Sequence, residues 1–148
     1  MDIHRHRLND IAPVKLYQIL ALRMDVFVVE QGCPYRDLDG RDTEGGSWLL
    51  WAEQAGTVTA TLRTLTETGP DGTGETIRIG RVATAIGHRG RGLAAQLIEY
   101  AIASAAGRPM TLDAQVRLES WYEGFGFRRS GPDFDEDGMA HVPMRRPQ

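Results

Sequence analysis

The chain is poor in cysteine, in long apolar runs and in excess positive charge, and each shortage closes off a class of protein. A lone cysteine, Cys33, in 148 residues excludes an internal disulfide framework and leaves a zinc cluster without its thiolate ligands. No segment approaches the roughly 20 apolar residues of a membrane-spanning helix, and the polar opening Met1-Asp2-Ile3-His4-Arg5-His6-Arg7 does not read as a secretory signal. A cytoplasmic protein with no membrane association is therefore expected. A net charge of -3 leaves no basic surplus to displace counterions, which argues against nucleic acid as a partner.

What is present fits an ordinary globular protein: 41% hydrophobic and 25% charged residues, in a length that suits one domain over residues 1–148. A short strand is predicted at about residues 3 to 8, then a helix from about Val14 to Val29 that ends before Gly32 and Pro34. Leu16, Ile19, Leu20, Met24 and Phe27 fall at helical spacing and are the expected buried face. Residues 32–46 form a polar, aspartate-rich loop. Trp48 to Glu53, Thr57 to Thr66 and Ile77 to Thr84 read as successive strands, with a tight turn at Gln54-Ala55-Gly56 and a looser one from Thr68 to Gly74. A helix from about Gly90 to Ala106, a strand from Met110 to Gln115, a short helix from Leu118 to Phe125 and strands near Phe127 and Met139 to Met144 complete the pattern.

Chemistry concentrates where the third of those central strands meets the second long helix. The order Ile77-Arg78-Ile79-Gly80-Arg81-Val82-Ala83-Thr84, then His88-Arg89-Gly90-Arg91-Gly92-Leu93-Ala94, is a strand, a doubly basic glycine turn and a helix start. Helix N-termini carry unpartnered N–H groups and partial positive charge, so this turn can cradle an oligophosphate. Gly90 and Gly92 keep side chains off the backbone, while Arg89 and Arg91 supply forked donors. A Walker loop would need Lys and then Ser or Thr where Leu93-Ala94 stands, which makes ATP or GTP hydrolysis a poor fit. The hairpin-like strands before the turn make a dinucleotide fold a poor fit too.

The pattern Arg89-x-x-Gly92-x-Ala94 after a strand resembles the acyl-CoA pyrophosphate loop of the GCN5-related N-acetyltransferases (GNATs). The run from Ser120 through Trp121-Tyr122-Glu123-Gly124-Phe125-Gly126-Phe127 resembles a second segment of that superfamily near its C-terminus. Further matches resemble the ElaA-like subfamily: Leu22-Arg23, Val26 to Gln31, Cys33-Pro34-Tyr35 with Asp37, Asp39-Gly40 and Asp42, Gly80-Arg81-Val82, Ala114-Gln115, and Asp137-Gly138 with His141. Together they cover nearly the whole chain.

The resemblance implies an α/β (α+β) GNAT fold: a mixed, mostly antiparallel twisted sheet of six to seven strands flanked by helices. It implies an enzyme, without a metal, that moves acetyl from the co-substrate acetyl-CoA to a primary amine of a small molecule or peptide by direct attack in a ternary complex. Two alternatives stand beside it: a noncatalytic acyl-CoA-binding sensor, and an acyltransferase like the acyl-homoserine-lactone synthases, whose extra length this chain lacks. A homodimer is compatible with exposed sheet edges.

For the site, the resemblance implies that the backbone of Val82, Ala83 and Thr84 pairs with pantetheine and that Arg89, Gly90, Arg91, Gly92, Leu93 and Ala94 hold the diphosphate. Gln115 either holds the cofactor's amide or ends its strand. Tyr122 is the implied general acid. A phenol of pKa about 10 protonating a thiolate of pKa about 8.5 runs uphill by roughly 2 kcal/mol, so Tyr122 is expected to donate a hydrogen bond first. Full transfer would need a positive dipole to lower its pKa. The base is open between Glu30 and His141, with Glu75 at the far end of the strand before the loop. Asp37, Asp39, Asp42 and Glu44 either steer a cationic amine or form a solvated turn. Nothing near Cys33 in sequence would depress its pKa, against an acyl-cysteine intermediate.

Overall fold

Among the described residues, 1–69 and 71–147, a computed structural model places eight strands in one sheet. Pro70, within the looser turn predicted from Thr68 to Gly74, and Gln148 lie outside the described residues. The strands are β1 (Asp2–His6), β2 (Trp48–Gln54), β3 (Thr57–Thr68), β4 (Glu75–Thr84), β5 (Met110–Gln115), β6 (Arg128–Arg129), β7 (Phe134–Glu136) and β8 (Met139–Arg146). Their order is β1-β2-β3-β4-β5-β8-β6, with β7 also paired to β8. All pairs are antiparallel except β4 with β5. The sheet is thus mixed and mostly antiparallel, as expected, and the short β7 adds to the predicted strands. Among the described residues no helix is long and apolar enough to cross a membrane.

Strand alternation sends Leu50, Ala52 and Leu62 to one side of the sheet and Leu49 and Trp51 to the other. The first side is covered by α2 (Leu93–Ser104), whose Leu93, Leu97, Ile98 and Ala101 are buried at helical spacing. Each buried Leu or Ile there contributes on the order of 1.5–3 kcal/mol relative to exposure. The second side is covered by α1 (Pro13–Met24), which opens on Pro13 at its first turn and runs on as a π-helical turn, Asp25–Glu30.

The buried face of α1 differs from the predicted one. Ile19, Leu22 and Val26 are buried with Arg23 among them, and Met24 is exposed. The helix turns inward on positions 19, 22, 23 and 26, so a guanidinium occupies the apolar stripe and displaces Met24 outward. A charge so placed costs several kcal/mol unless it is fully paired. Arg23 donates from Nε to Asp37 at 3.1 Å, from Nη1 and Nη2 to the two Asp42 carboxylate oxygens at 2.8 and 3.2 Å, and from Nη2 to the Asp37 carbonyl at 3.2 Å.

Both carboxylates come from the aspartate-rich loop, and the network continues into the sheet. Arg63 of β3 grips Asp39 with two bonds of 2.7 and 2.8 Å and reaches Asp42 at 3.4 Å. Arg81 of β4 reaches Asp37 at 2.8 Å and Asp39 at 3.2 Å. Three guanidinium groups and three carboxylates therefore clamp the loop onto the sheet, and Arg63 holds the Asp39 carboxyl far below the usual carboxylate range by its hydrogen bond. The loop is neither a free acidic patch nor a solvated turn. Glu44, the fourth acid, is tied to Arg41 at 3.0 Å.

Strand β4 carries a bulge that the alternation of the sequence conceals. Arg63 faces Gly80 and Thr61 faces Ala83, so Arg81 and Val82 together oppose Leu62. Arg81 has φ +54°, a left-handed conformation that a non-glycine residue adopts only when its surroundings hold it. Its bonds to Asp37 and Asp39 do so. Before the bulge Ile77 and Ile79 face α2; beyond it Val82 packs on that side and Ala83 joins the α1 side.

Arg23→Ala, which leaves buried Asp37 to Arg81 alone and buried Asp42 to its 3.4 Å contact with Arg63, is expected to cost about 3 kcal/mol of stability. Urea unfolding followed by tryptophan fluorescence measures it, and a loss below about 1 kcal/mol would show the clamp to be dispensable.

Candidate functional site

Strands β4 and β5 run parallel, yet they pair only at Ile77 with Met110 and Arg78 with Thr111. Beyond that point β4 continues to Thr84 and β5 to Gln115 without further pairing. The wedge between them opens into a cleft of about 540 Å³, lined by Ile79, Gly80, Arg81 and Val82 on one wall and Leu112 to Gln115 on the other. The bulge at Arg81 is what lets β4 veer away while it stays hydrogen-bonded to β3. Of the predicted strand residues, Val82 lines the cleft, Ala83 is buried on the α1 side, and Thr84 offers its carbonyl to Arg89 Nε at 3.1 Å.

The predicted phosphate turn follows β4 after one 3-10 turn, Ile86–His88. Helix α2 starts at Leu93, later than predicted, because Gly90 and Gly92 have φ +78° and +74° and cannot belong to a right-handed helix. A Cβ at either position would meet nothing in the chain within 4 Å, so backbone conformation, not crowding within the protein, is what asks for glycine there. No side chain caps this helix start, and the bond from Gln96 N–H to the Gly92 carbonyl is 3.1 Å. That leaves the N–H groups of Leu93, Ala94 and Ala95 at the open end of the helix. The Leu93 side chain is core, so only its backbone can serve a ligand. Arg91 is exposed beside His88 Nδ1 at 3.3 Å. Arg89 is engaged, donating to both oxygens of Glu30 at 2.6 and 2.7 Å.

That pairing changes the standing of Glu30. Its carboxylate lies outside the cleft lining, and the Arg89 hydrogen bond holds it below the ordinary carboxylate range, which makes it a poor proton acceptor. Glu75 is likewise tied to Arg108 at 3.0 Å. His141, in contrast, lines the cleft. It faces Gln115 across the β5–β8 ladder, and its ring stacks on Phe134 with centroids 5.8 Å apart. Its Nδ1 is 2.9 Å from the Met139 carbonyl. A carbonyl only accepts, so Nδ1 carries the hydrogen and the neutral ring presents the Nε2 lone pair, 4.0 Å from Glu136.

Tyr122 stands on α3 (Glu119–Glu123), lines the cleft and is 6% exposed. Trp121 and Phe127 meet its ring edge-on, at 4.8 and 6.2 Å between centroids. Burial pushes its phenol up to about 12, the opposite of the dipole-lowered value that full proton transfer was expected to need. Gln115 lies in the same cleft with its Oε1 buried and unpartnered. Cys33 also lines it and donates to the Asp137 carbonyl at 3.5 Å. Among the described residues no group of three or more His, Cys, Asp or Glu could hold a metal ion. Sequence reading missed the bulge and the pairing of the aspartates; Gly80 before Arg81, and Arg23 inside an apolar stripe, were their signals.

A sequence-family model described as an acetyltransferase (GNAT) domain matches residues 24–147. A UPF0039 protein of Mycobacterium tuberculosis is 43% identical over 140 residues, which are 94% of this chain and 88% of that one. Escherichia coli ElaA is 33% identical over 149 residues, 98% of this chain and 94% of its own, and its crystal structure superposes with a TM-score of 0.88. The crystal structure of an acyl-CoA N-acyltransferase from Pseudomonas aeruginosa, 37% identical, gives a TM-score of 0.90 with 98% of each chain covered.

Burial also pushes Tyr35 up to about 12. Two phenols should therefore ionise late in an absorbance titration at 295 nm, and Tyr122→Phe should delete one of them. Because the folded value lies above the free value of about 10, the stability from keeping Tyr122 neutral is complete below about pH 10 and is lost as pH rises through about 12. A Tyr122 phenol that titrates near 10 would contradict its burial.

Proposed function

Because the chain belongs to the GNAT acetyltransferase family, we propose that it is an acetyl-CoA-dependent N-acetyltransferase that acts on a primary amine in a ternary complex. The observation that carries this reading is the wedge between β4 and β5, which begins at the Arg78–Thr111 pair and contains Tyr122, His141 and Gln115. The chain's residues fit the co-substrate. The uncapped start of α2, its two left-handed glycines and Arg91 suit a diphosphate, and the unpaired edge of β4 suits an extended amide-bearing chain. Bound there, acetyl-CoA supplies an activated acyl thioester.

The amine nitrogen bonds the acyl carbon as the carbon–sulfur bond breaks; the sulfur leaves as a thiolate and takes its proton from water, while the proton the nitrogen gives up passes to a base and from there to solvent. His141 is the base of this proposal, with Nε2, 4.0 Å from Glu136, taking the amine's proton. Tyr122 keeps its proton on Oη. Passing it from a phenol near 12 to a thiolate of pKa about 8.5 runs uphill by about 5 kcal/mol, so Tyr122 acts by hydrogen bonding to the departing sulfur. Gln115 offers an amide for orientation.

Incubation with acetyl-CoA and a panel of amines, with free thiol followed over time, tests the reading. Thiol release with at least one amine is expected. Tight binding of coenzyme A with no release from any amine would point instead to an acyl-CoA-binding sensor. Tyr122→Phe and His141→Gln should each lower turnover by about a hundredfold while coenzyme A affinity stays within about twofold; unchanged turnover removes that residue from the chemistry.

The phosphate turn gives the reverse pattern. Arg89→Ala and Gly92→Glu should weaken coenzyme A binding by about tenfold or more, while Glu30→Gln, which frees Arg89, should leave turnover intact and tighten binding. Calorimetry that finds normal affinity in both of the first two variants would break the assignment, and abolished turnover in Glu30→Gln would return Glu30 to the role of base.

A further inference from the structure

A second pocket, of about 280 Å³, adjoins the cleft and shares Glu67 and Arg78 with it. It lies on the sheet face opposite α2, and its floor is a row across three strands: Arg78 of β4 pairs with Thr111 of β5, which pairs with Arg145 of β8. Strands lie about 4.8 Å apart, so two guanidinium groups flank one hydroxyl within reach of a single small ligand. Thr76, Thr68 and Ser130 add further hydroxyls to the wall.

The polar atoms of this row are incompletely used. Thr111 Oγ1 and Arg145 Nε are buried without a hydrogen-bond partner, and among the described residues no carboxylate lies within ion-pair distance of Arg145. Buried polar atoms normally have partners, and two unsatisfied ones on paired residues that line the same pocket leave hydrogen-bonding capacity at this row. The charges decide the sign of a ligand held there. Arg78 holds Glu67 at 3.0 Å and Asp113 at 3.3 Å, and Arg41 holds Glu67 at 2.9 Å and Glu44 at 3.0 Å, whereas Arg145 has, among the described residues, only Asp71 in its neighbourhood, without direct contact, and is the guanidinium of the row free to bond a ligand's acid group. The wall of the main cleft near His141 has the opposite character, with Glu136 and Asp137 facing it.

We propose that this row anchors an anionic group of the acceptor, so that the amine acylated in the cleft belongs to an amino acid in the broad sense: a compact molecule with an amine at one end and a carboxylate, or a phosphonate or phosphate, at the other. The ammonium end approaches along the Glu136–Asp137 wall, loses a proton and reaches the acyl group, while Arg145, Thr111 and Arg78 hold the acid end. The inference rests on the acyl-transfer reading for the role of the amine, but the anion pocket itself can be tested without turnover.

The probes are ω-amino acids from glycine to 6-aminohexanoate, the aminoalkylphosphonates of matching length and the n-alkylamines of matching length. The Arg145 Nε–H resonance, assigned by its disappearance in Arg145→Gln, should shift saturably with carboxylate or phosphonate probes and not with alkylamines; which anion shifts it at lower concentration separates the two acids. In the thiol-release assay, acids should exceed alkylamines in kcat/KM by at least about tenfold, and that preference should collapse in Arg145→Gln, fall in Thr111→Val and partly return in Arg145→Lys. Melting curves confirm that each variant folds. Equal use of alkylamines, or an Arg145 resonance unmoved by every acid, overturns the proposal. Absence of thiol release with all amines defeats the acyl-transfer reading instead, and the resonance titration still decides whether the anion pocket exists.

Discussion

The structure turns on the clamp between the loop at residues 32–46 and the sheet, above all on Arg81. A parallel pair such as β4 and β5 would ordinarily stay in register along its length; here it parts after two residue pairs because β4 is forced out of line at Gly80-Arg81. A left-handed Arg costs on the order of 1–2 kcal/mol, and the carboxylates of Asp37 and Asp39 offset that strain. Those carboxylates are fixed in turn by Arg23 and Arg63. The cleft therefore depends on a chain of ion pairs that begins on the inward face of α1, remote in sequence from the strands it separates.

Once the wedge exists, the remaining parts reach it by ordinary means. The β5–β8 ladder sets Gln115 opposite His141, and the short α3 after β5 turns Tyr122 inward, where aromatic edges fix its ring. Tyr122 and His141, the proposed hydrogen-bond donor and base, thus come from different elements and keep separate environments. Tyr122 is dry, so its phenol is raised and remains a donor. His141 keeps Glu136 near one nitrogen and a backbone carbonyl on the other, which fixes the tautomer able to accept a proton.

Much of this was legible in the sequence where local physics and tertiary context agree. The strands β2 to β5, the second helix and the glycine turn follow from period, breakers and spacing, and the Tyr122 segment from resemblance. Reading failed where a distant partner overrides the local rule. Arg23 sits in an apolar stripe and reads as an outward residue until Asp37 and Asp42 are known to meet it, which is why Met24 was placed inside in its stead. The aspartates read as an amine-steering patch or a solvated turn because their arginines lie 14 to 44 residues away. Glu30 looked like a base because the sequence does not reveal that Arg89, 59 residues on, holds it. The bulge was hidden because the strand's residues on either side of Gly80-Arg81 read as ordinary β alternation, and Gly80 was its one local signal.

The same residue types serve two purposes, and exposure separates them. Arg23 and Asp37 are removed from water, and losing either partner strands a buried charge, so that pairing is permanent scaffold. Arg89 and Glu30 are each about two-fifths exposed, and pairs of that kind contribute no more than about 1 kcal/mol. A diphosphate brings more charge and more acceptors than one carboxylate, so it can displace Glu30 from Arg89 at little expense, whereas no ligand could draw Arg23 from its aspartates without unfolding the loop. The chain thus places its exposed ion pair at the mouth of the glycine turn and its buried ones behind the wedge, so that, on the proposed reading, the turn can exchange partners while the strand separation stays constant.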